Sequence, residues 1–212
     1  MNEETTGLRE RKKQRTRQLL SDTAIELFLQ RGFDQVPVAE VAAVAEVSKP
    51  TLFRYFPAKE DLVLHRIADH QGEAARVVRA RAGEQPPLVT LRSHLHERID
   101  AHDPVTGVSD LAPVLAFHDL VYSTPSLLAR LVHYTGRDEE ELAGALQEVG
   151  GHEALTARLA AAQIITVHQR LAHANWRRIA DGRTAEQAVP GAHAAADHAY
   201  DLLGAGLGAA YG

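Results

Sequence analysis

Apolar residues recur at three- and four-residue intervals along most of the chain. Leu20, Ala24, Leu27 and Phe28 stand at i, i+4, i+7 and i+8, which is one face of a helix. Thr16 offers a cap and Gly32 a stop, so a first helix is expected over 16–31. Pro37 marks the next boundary, after which Val38, Val41, Ala42 and Ala45 share one face of a short second helix. Ser48 caps a third, with Pro50 tolerated in its first turn and Pro57 at its end. Val47 and Leu52 occupy the positions of a hydrophobic staple across its start. Further helices are expected over 59–81, 88–101, 111–122, 125–149, 153–180 and 184–207, the last broken or kinked at Pro190-Gly191, with a linker at Ala82–Pro87. No run alternates with period two between turn residues, so the pattern predicts an all-α chain of about nine helices.

Composition narrows the chemistry. The chain has no cysteine, which removes disulfides, thiolate metal sites and cysteine nucleophiles. Neither an apolar leader nor a run of about 18 apolar residues is present, so a cytoplasmic protein without a membrane partner is expected. The net charge of −5 hides an asymmetry. Residues 1–60 carry ten Lys and Arg against nine Asp and Glu, and six of the ten are Arg9, Arg11, Lys12, Lys13, Arg15 and Arg17. The remaining residues carry thirteen against nineteen. A basic front on an acidic body suggests an end that faces phosphate.

The second and third helices, joined by Ala45-Glu46-Val47, have helix-turn-helix proportions. At 100° per residue, Leu52 and Phe56 of the third helix point together toward a core, and Arg54 points nearly opposite. Pro50, Thr51, Phe53 and Tyr55 flank Arg54. That outer face combines a cation, two hydroxyls and a flat ring, groups that contact phosphates, base edges and thymine methyls. The same face could also meet only water.

From Thr16 to Leu64 the sequence resembles the amino-terminal domain of the tetracycline-repressor (TetR) family. The matching pieces include Leu19-Leu20, Ala24, Leu27-Phe28, Gly32-Phe33-Asp34, Val41-Ala42, Ala45, Val47-Ser48, Thr51 to Phe56 and Lys59 to Leu62. The resemblance implies a homodimeric transcriptional regulator that binds double-stranded operator DNA, with domains at 1–58 for DNA and 59–212 for dimerisation and a small-molecule effector. It implies base-side contacts from Lys49, Pro50, Thr51 and Arg54, with Phe53 beside them. It implies phosphate contacts from Tyr55, Lys59, Thr16 and Arg17. Glu46 stands where the family usually has glycine, so a positive φ there would store strain on the order of 1 kcal/mol. Pro37 and Ala58 replace hydroxyl caps.

The eighth expected helix is apolar on more than one face, and the last is rich in Ala and Gly, which predicts that both pair with a second copy. Candidate effector-binding residues are Phe117, His118, Val121, Tyr122, Tyr134, Gln163, Val167 and His168, a mix of rings and isolated polar groups. Of twelve histidines, His94 with His96 and His193 with His198 stand close in sequence. Neither pair has the i, i+4 spacing that puts two ligands on one helix face, so no metal or other cofactor is expected. An enzyme using His118 or His168 as a base near Asp119 would need a nucleophile elbow or glycine-rich loop, and the sequence has neither, so no catalytic residue is assigned.

Overall fold

The structure, a computed structural model, describes residues 3–68, 70–81, 83, 85–151 and 153–211. Among these, every regular element is helical: α1 (Glu3–Arg31), α2 (Val38–Val44), α3 (Lys49–Tyr55), α4 (Asp61–Ala68), α5 (Glu73–Ala80), α6 (Pro87–Asp100), α7 (Ala112–Ser123), α8 (Pro125–Gly150), α9 (Ala154–Ala180) and α10 (Ala185–Tyr211), with one 3₁₀ turn at Pro104–Thr106. No helix among the described residues is long and apolar enough to cross a membrane.

The all-helical expectation holds, with three differences in boundaries. The first helix begins at Glu3 and not at Thr16. Thr16 is therefore no cap; its hydroxyl donates to the Lys12 carbonyl one turn back at 3.0 Å. The expected helix over 59–81 is two helices, α4 and α5, separated at Gly72. Gly72 takes φ +69°, and its N–H donates to Asp138 Oδ1 at 2.9 Å. A left-handed residue bonded sideways cannot continue a helix. Of the break or kink expected at Pro190, the break is absent, because α10 runs through that position. Proline removes one N–H donor there, but Ala188, Ala192 and Ala196 are buried in one cluster on either side of it, and the helix continues. Ala82 and Glu84 of the linker lie outside the described residues, as does the side chain of Arg9.

The chain divides into two compact units. One comprises Met1–Asp69 and Ala116–Leu131, the other His70–Leu115 and Val132–Gly212. In the first, α1 packs on α2 and α4, and α2 on α3. Its core buries Leu20, Ala24 and Phe28 of α1 with Val41, Leu52, Phe56 and Leu62. Ser21, also buried, donates to the Leu62 carbonyl at 2.7 Å. Asp61 opens α4, accepts the Ala58 N–H at 3.1 Å, and is gripped by both arms of Arg130 at 2.9 and 3.1 Å. That carboxylate makes the reciprocal half of a capping box, back to the Ala58 N–H, and leaves the first-turn N–H groups that a hydroxyl at 58 would meet without that partner.

In the second unit, α10 packs along α6 and α9, and α5 along α6. Its larger core gathers Leu88, Leu91, Leu142, Leu146, Ile164 and Tyr200. A second cluster joins Ile99, Val108, Ile179, Ala188, Ala192 and Ala196. The 3₁₀ turn lies directly on α9: a Cβ at Gly107 (φ +73°) would sit 2.0 Å from the Ala172 carbonyl oxygen. The Thr106 carbonyl accepts from buried Asn175 at 3.0 Å.

Candidate nucleic-acid interface

The corner before α3 is built from local bonds. The Glu46 N–H donates to the Ala43 carbonyl at 3.1 Å and the Val47 N–H to the Ala42 carbonyl at 2.9 Å. This paired closure ends a helix with a left-handed residue, and Glu46 takes that conformation at φ +55°. The strain expected from sequence is therefore present at a residue that is not glycine. Ser48 then caps α3: its Oγ accepts the Thr51 N–H at 3.2 Å and lies 2.8 Å from Thr51 Oγ1.

Seven residues of α3 leave little room for ambiguity about faces. Leu52 is fully buried and Phe56, just beyond the helix, nearly so. Lys49, Pro50, Phe53 and Arg54 are exposed, and Thr51 and Tyr55 half-buried at the edges. Phe53 is an apolar ring left 38% open to water. The cations lie against rings: Lys49 Nζ is 5.8 Å from the Phe53 centroid, and the Arg54 guanidinium 5.7 Å from that of Tyr55. Such contacts order long side chains without neutralising them. The outward groups are thus two charges, a hydroxyl tied to the cap, a phenol and a bare ring. Ser48, itself exposed beside Thr51, belongs to the same surface, although the sequence pointed to it only as the cap of α3. Its cap position was the available signal.

The flanking residues differ in how they are held. Thr16 is half-buried in α1. The Arg17 guanidinium lies 5.3 Å from the Phe56 ring, with its Nε buried and unpartnered. Lys59 is turned into its own unit. Its ammonium donates to the Phe33 carbonyl at 2.5 Å and sits 4.4 and 5.2 Å from the Phe33 and Phe28 rings. Burial there lowers its pKa, against the pull of Asp34 and Glu60.

The eight candidate effector-binding residues fall four in each unit. Phe117 and Val121 of α7 are buried in the first unit, with the His118 ring 6.0 Å from those of both Phe117 and Tyr122. Desolvation drives the His118 pKa down to about 4 and raises that of Tyr122. The buried His118 Nδ1 has no hydrogen-bond partner. In the second unit, the Tyr134 carbonyl accepts from Gln71 at 3.4 Å. His168 Nε2 and the Tyr200 hydroxyl share a hydrogen bond at 2.7 Å, and burial holds this imidazole neutral, with a pKa of about 4. Gln163 and Val167 face another way. They line an open, mainly apolar groove of about 500 Å³ along α9 and α10, together with Leu159, Ala162, Leu202 and Leu203. Nearby, Glu73 gathers His94 at 2.9 Å, Arg98 at 3.0 Å and His70 at 3.4 Å. The His70 bond first, then His94 and Arg98, outweigh burial and hold this carboxyl at about 2.

Comparison with known proteins places residues 20–65 in the bacterial regulatory proteins of the tetR family. Over 148 residues the chain is 38% identical to the HTH-type transcriptional regulator TcmR of Streptomyces glaucescens. That match covers 68% of this chain and 62% of TcmR, so the chain spans just under two thirds of that relative. The fold resembles that of NalD, the secondary repressor of the MexAB-OprM multidrug efflux pump in Pseudomonas aeruginosa, with TM-score 0.54 at 14% identity over 90% of this chain and 95% of NalD. It resembles equally a tetR-family regulator from Mesorhizobium loti, with TM-score 0.51 at 15% identity over 90% and 97% of the two chains.

Proposed function

We propose that the chain, whose residues 20–65 match the bacterial regulatory proteins of the tetR family, is a regulator of that family that represses transcription as a cytoplasmic homodimer and is released from operator DNA by a small molecule. It acts by binding and not by catalysis. The observation that carries this reading is the outward face of α3, where Lys49, Pro50, Phe53 and Arg54 stand exposed over a fully buried Leu52. The face is short enough to enter a major groove and chemically mixed enough to read one. The basic residues Arg11, Lys12 and Arg15 of α1, all exposed, add a screened, sequence-independent attraction.

Operators with two half-sites need two copies of α3, about 34–36 Å apart. The groove along α9 and α10 supports pairing: Leu159 and Leu202, which line it, are 55% and 63% exposed, and Leu155 of α9 is 67% exposed, more apolar surface than water-facing helices usually keep. In this reading Gln163 and Val167 serve the subunit interface, while Phe117, His118, Val121 and Tyr122 of α7 supply a mainly apolar, ring-rich lining for the effector. An effector that binds one separation of the two α3 copies better than the other shifts the equilibrium by that difference in affinity.

A gel shift on DNA flanking the protein's own gene, at two salt concentrations, tests the reading. Specific retardation that weakens with salt is expected, and light scattering should give a dimer. A monomer with no retardation at either salt would refute it.

A further inference from the structure

The helix-turn-helix is an excursion of the chain between the end of α1 and the start of α4, and a side chain closes it. The Lys59 ammonium donates to the Phe33 carbonyl at 2.5 Å, across 26 positions of sequence. Phe33 lies in the connection from α1 to α2, and Lys59 in the connection from α3 to α4. The bond therefore ties the entry of the α2–α3 pair to its exit. The same ammonium lies 4.4 Å from the Phe33 centroid and 5.2 Å from that of Phe28. Those two rings meet edge to face at 4.9 Å, and both are buried, so the groups that receive the ammonium are fixed by the core.

Such a tie matters because α2 and α3 have only seven residues each, too few to hold themselves. Val41 and Ala42 of α2 and Leu52 of α3 anchor the inner faces. The exit is held again two residues beyond Lys59, where Asp61 accepts the Ala58 N–H and takes both arms of Arg130. The tilt of α3 is thus set at residues 58–61. An ammonium used in this way is a poor partner for phosphate. Reaching one would cost it the carbonyl bond and both ring contacts. Asp34 and Glu60 also act on it, so its surroundings hold two negative charges against one positive.

We infer that Lys59 is a clasp that positions α3 for the operator, and not the phosphate contact that the family resemblance implies. The consequence for DNA rests on the function proposed above; the clasp itself needs no DNA. Three roles separate cleanly. Losing a phosphate contact weakens specific and non-specific binding together and flattens the salt dependence. Losing a merely stabilising group lowers the melting temperature and leaves the folded dimer's affinity intact. Losing a clasp weakens specific binding alone.

The test uses the full-length chain with Lys59→Met, which keeps the aliphatic stem and removes the ammonium. Fluorescence anisotropy compares the duplex found by gel shift with a scrambled duplex of equal length, over a range of salt and below the melting transition of each chain. Specific affinity should fall about tenfold, while affinity for the scrambled duplex stays within about twofold. The slope of log affinity against log salt should not change. Lys12→Ala, which removes an exposed cation of α1, calibrates that slope, since one lost phosphate contact flattens it by about 0.9. Phe33→Leu takes away one ring, alters no charge, and should reproduce the loss of specificity. Amide hydrogen exchange supplies an arm without DNA: in Lys59→Met the amides of α3 should exchange faster, and those of α6 and α10 should not. A slope flattened as in Lys12→Ala, full specific affinity in Lys59→Met, or unchanged exchange in α3 would overturn the inference. A wild-type chain that binds neither duplex would refute the DNA reading, and the exchange rates would still decide the clasp.

Discussion

The α2–α3 corner and the α6–α10 seam treat their polar groups in opposite ways. At the corner, the bonds that set the geometry span three to five residues, and Lys49, Arg54 and Phe53 are left facing outward. At the seam, Arg92, His96 and His193 reach about a hundred residues along the chain to Asp197 and Asp100, and each charged group meets another from the same unit. The corner holds chemistry out for a partner; the seam consumes its own. Substitution at the corner should therefore change binding and leave stability nearly alone. Substitution in or under the seam should do the reverse.

The largest expected effect is on the packing below the seam. Ile99→Ala removes a side chain that is 1% exposed and should cost about 3 kcal/mol in urea unfolding, within the usual range for such truncations. DNA affinity of the folded fraction should stay within about twofold, a difference under roughly 0.5 kcal/mol. A large loss of affinity at unchanged stability would erase the contrast between the two regions.

Acid should act next, and on the interior. His118 and His168 are held at about 4 by burial, well below the ordinary 6.5. A depressed histidine is neutral in the folded chain and gains a proton on unfolding, so its stabilising contribution is complete above pH 6.5. That contribution disappears as the pH falls from 6.5 to 4, by at most roughly 3 kcal/mol for each ring. Urea unfolding across that range should show the loss, and His118→Phe should remove its share. Stability that is flat between pH 6.5 and 4 would mean that neither ring is desolvated.

The smallest effect sharpens the corner. Glu46 holds φ +55° at a position where glycine carries no Cβ penalty. Glu46→Gly should stabilise the chain by about 0.5–1 kcal/mol, a shift of a few degrees in melting temperature. It also removes a carboxylate beside the DNA face, so affinity should rise slightly. A fall in stability would show that the residue is unstrained.

The same contrast governs what could be read from sequence. Ser48, Pro50, Leu52 and Phe56 signal a capped helix and its inner face within nine residues, and the cap and the burial are both observed. Glu46 announced its left-handed turn by standing where glycine usually does. The break at Gly72 was missed because its cause, the carboxylate of Asp138, lies 66 residues away. Pro190 was read as a break or kink because the alanines buried along α10 were not weighed against one lost donor. The extension of α1 to Glu3 escaped because Thr16 looked like a cap, although a threonine hydroxyl can equally bond back into its own helix. Of the residues expected at the DNA face, those on α3 stand on one side of it, whereas Lys59 folds its ammonium onto Phe33 and Phe28, a choice made by ring placement that spacing does not reveal. The meeting of His96 and His193 depends wholly on how α10 lies along α6.

The most direct test of the central claim is fluorescence anisotropy of a labelled duplex, chosen from the gel shift, titrated with the wild-type chain and with Thr51→Ala and Tyr55→Phe. Each substitution should weaken binding by about 1–3 kcal/mol, while the dimer and its melting temperature stay unchanged. Full affinity in both variants would contradict the account, because the outward face of α3 would then be idle.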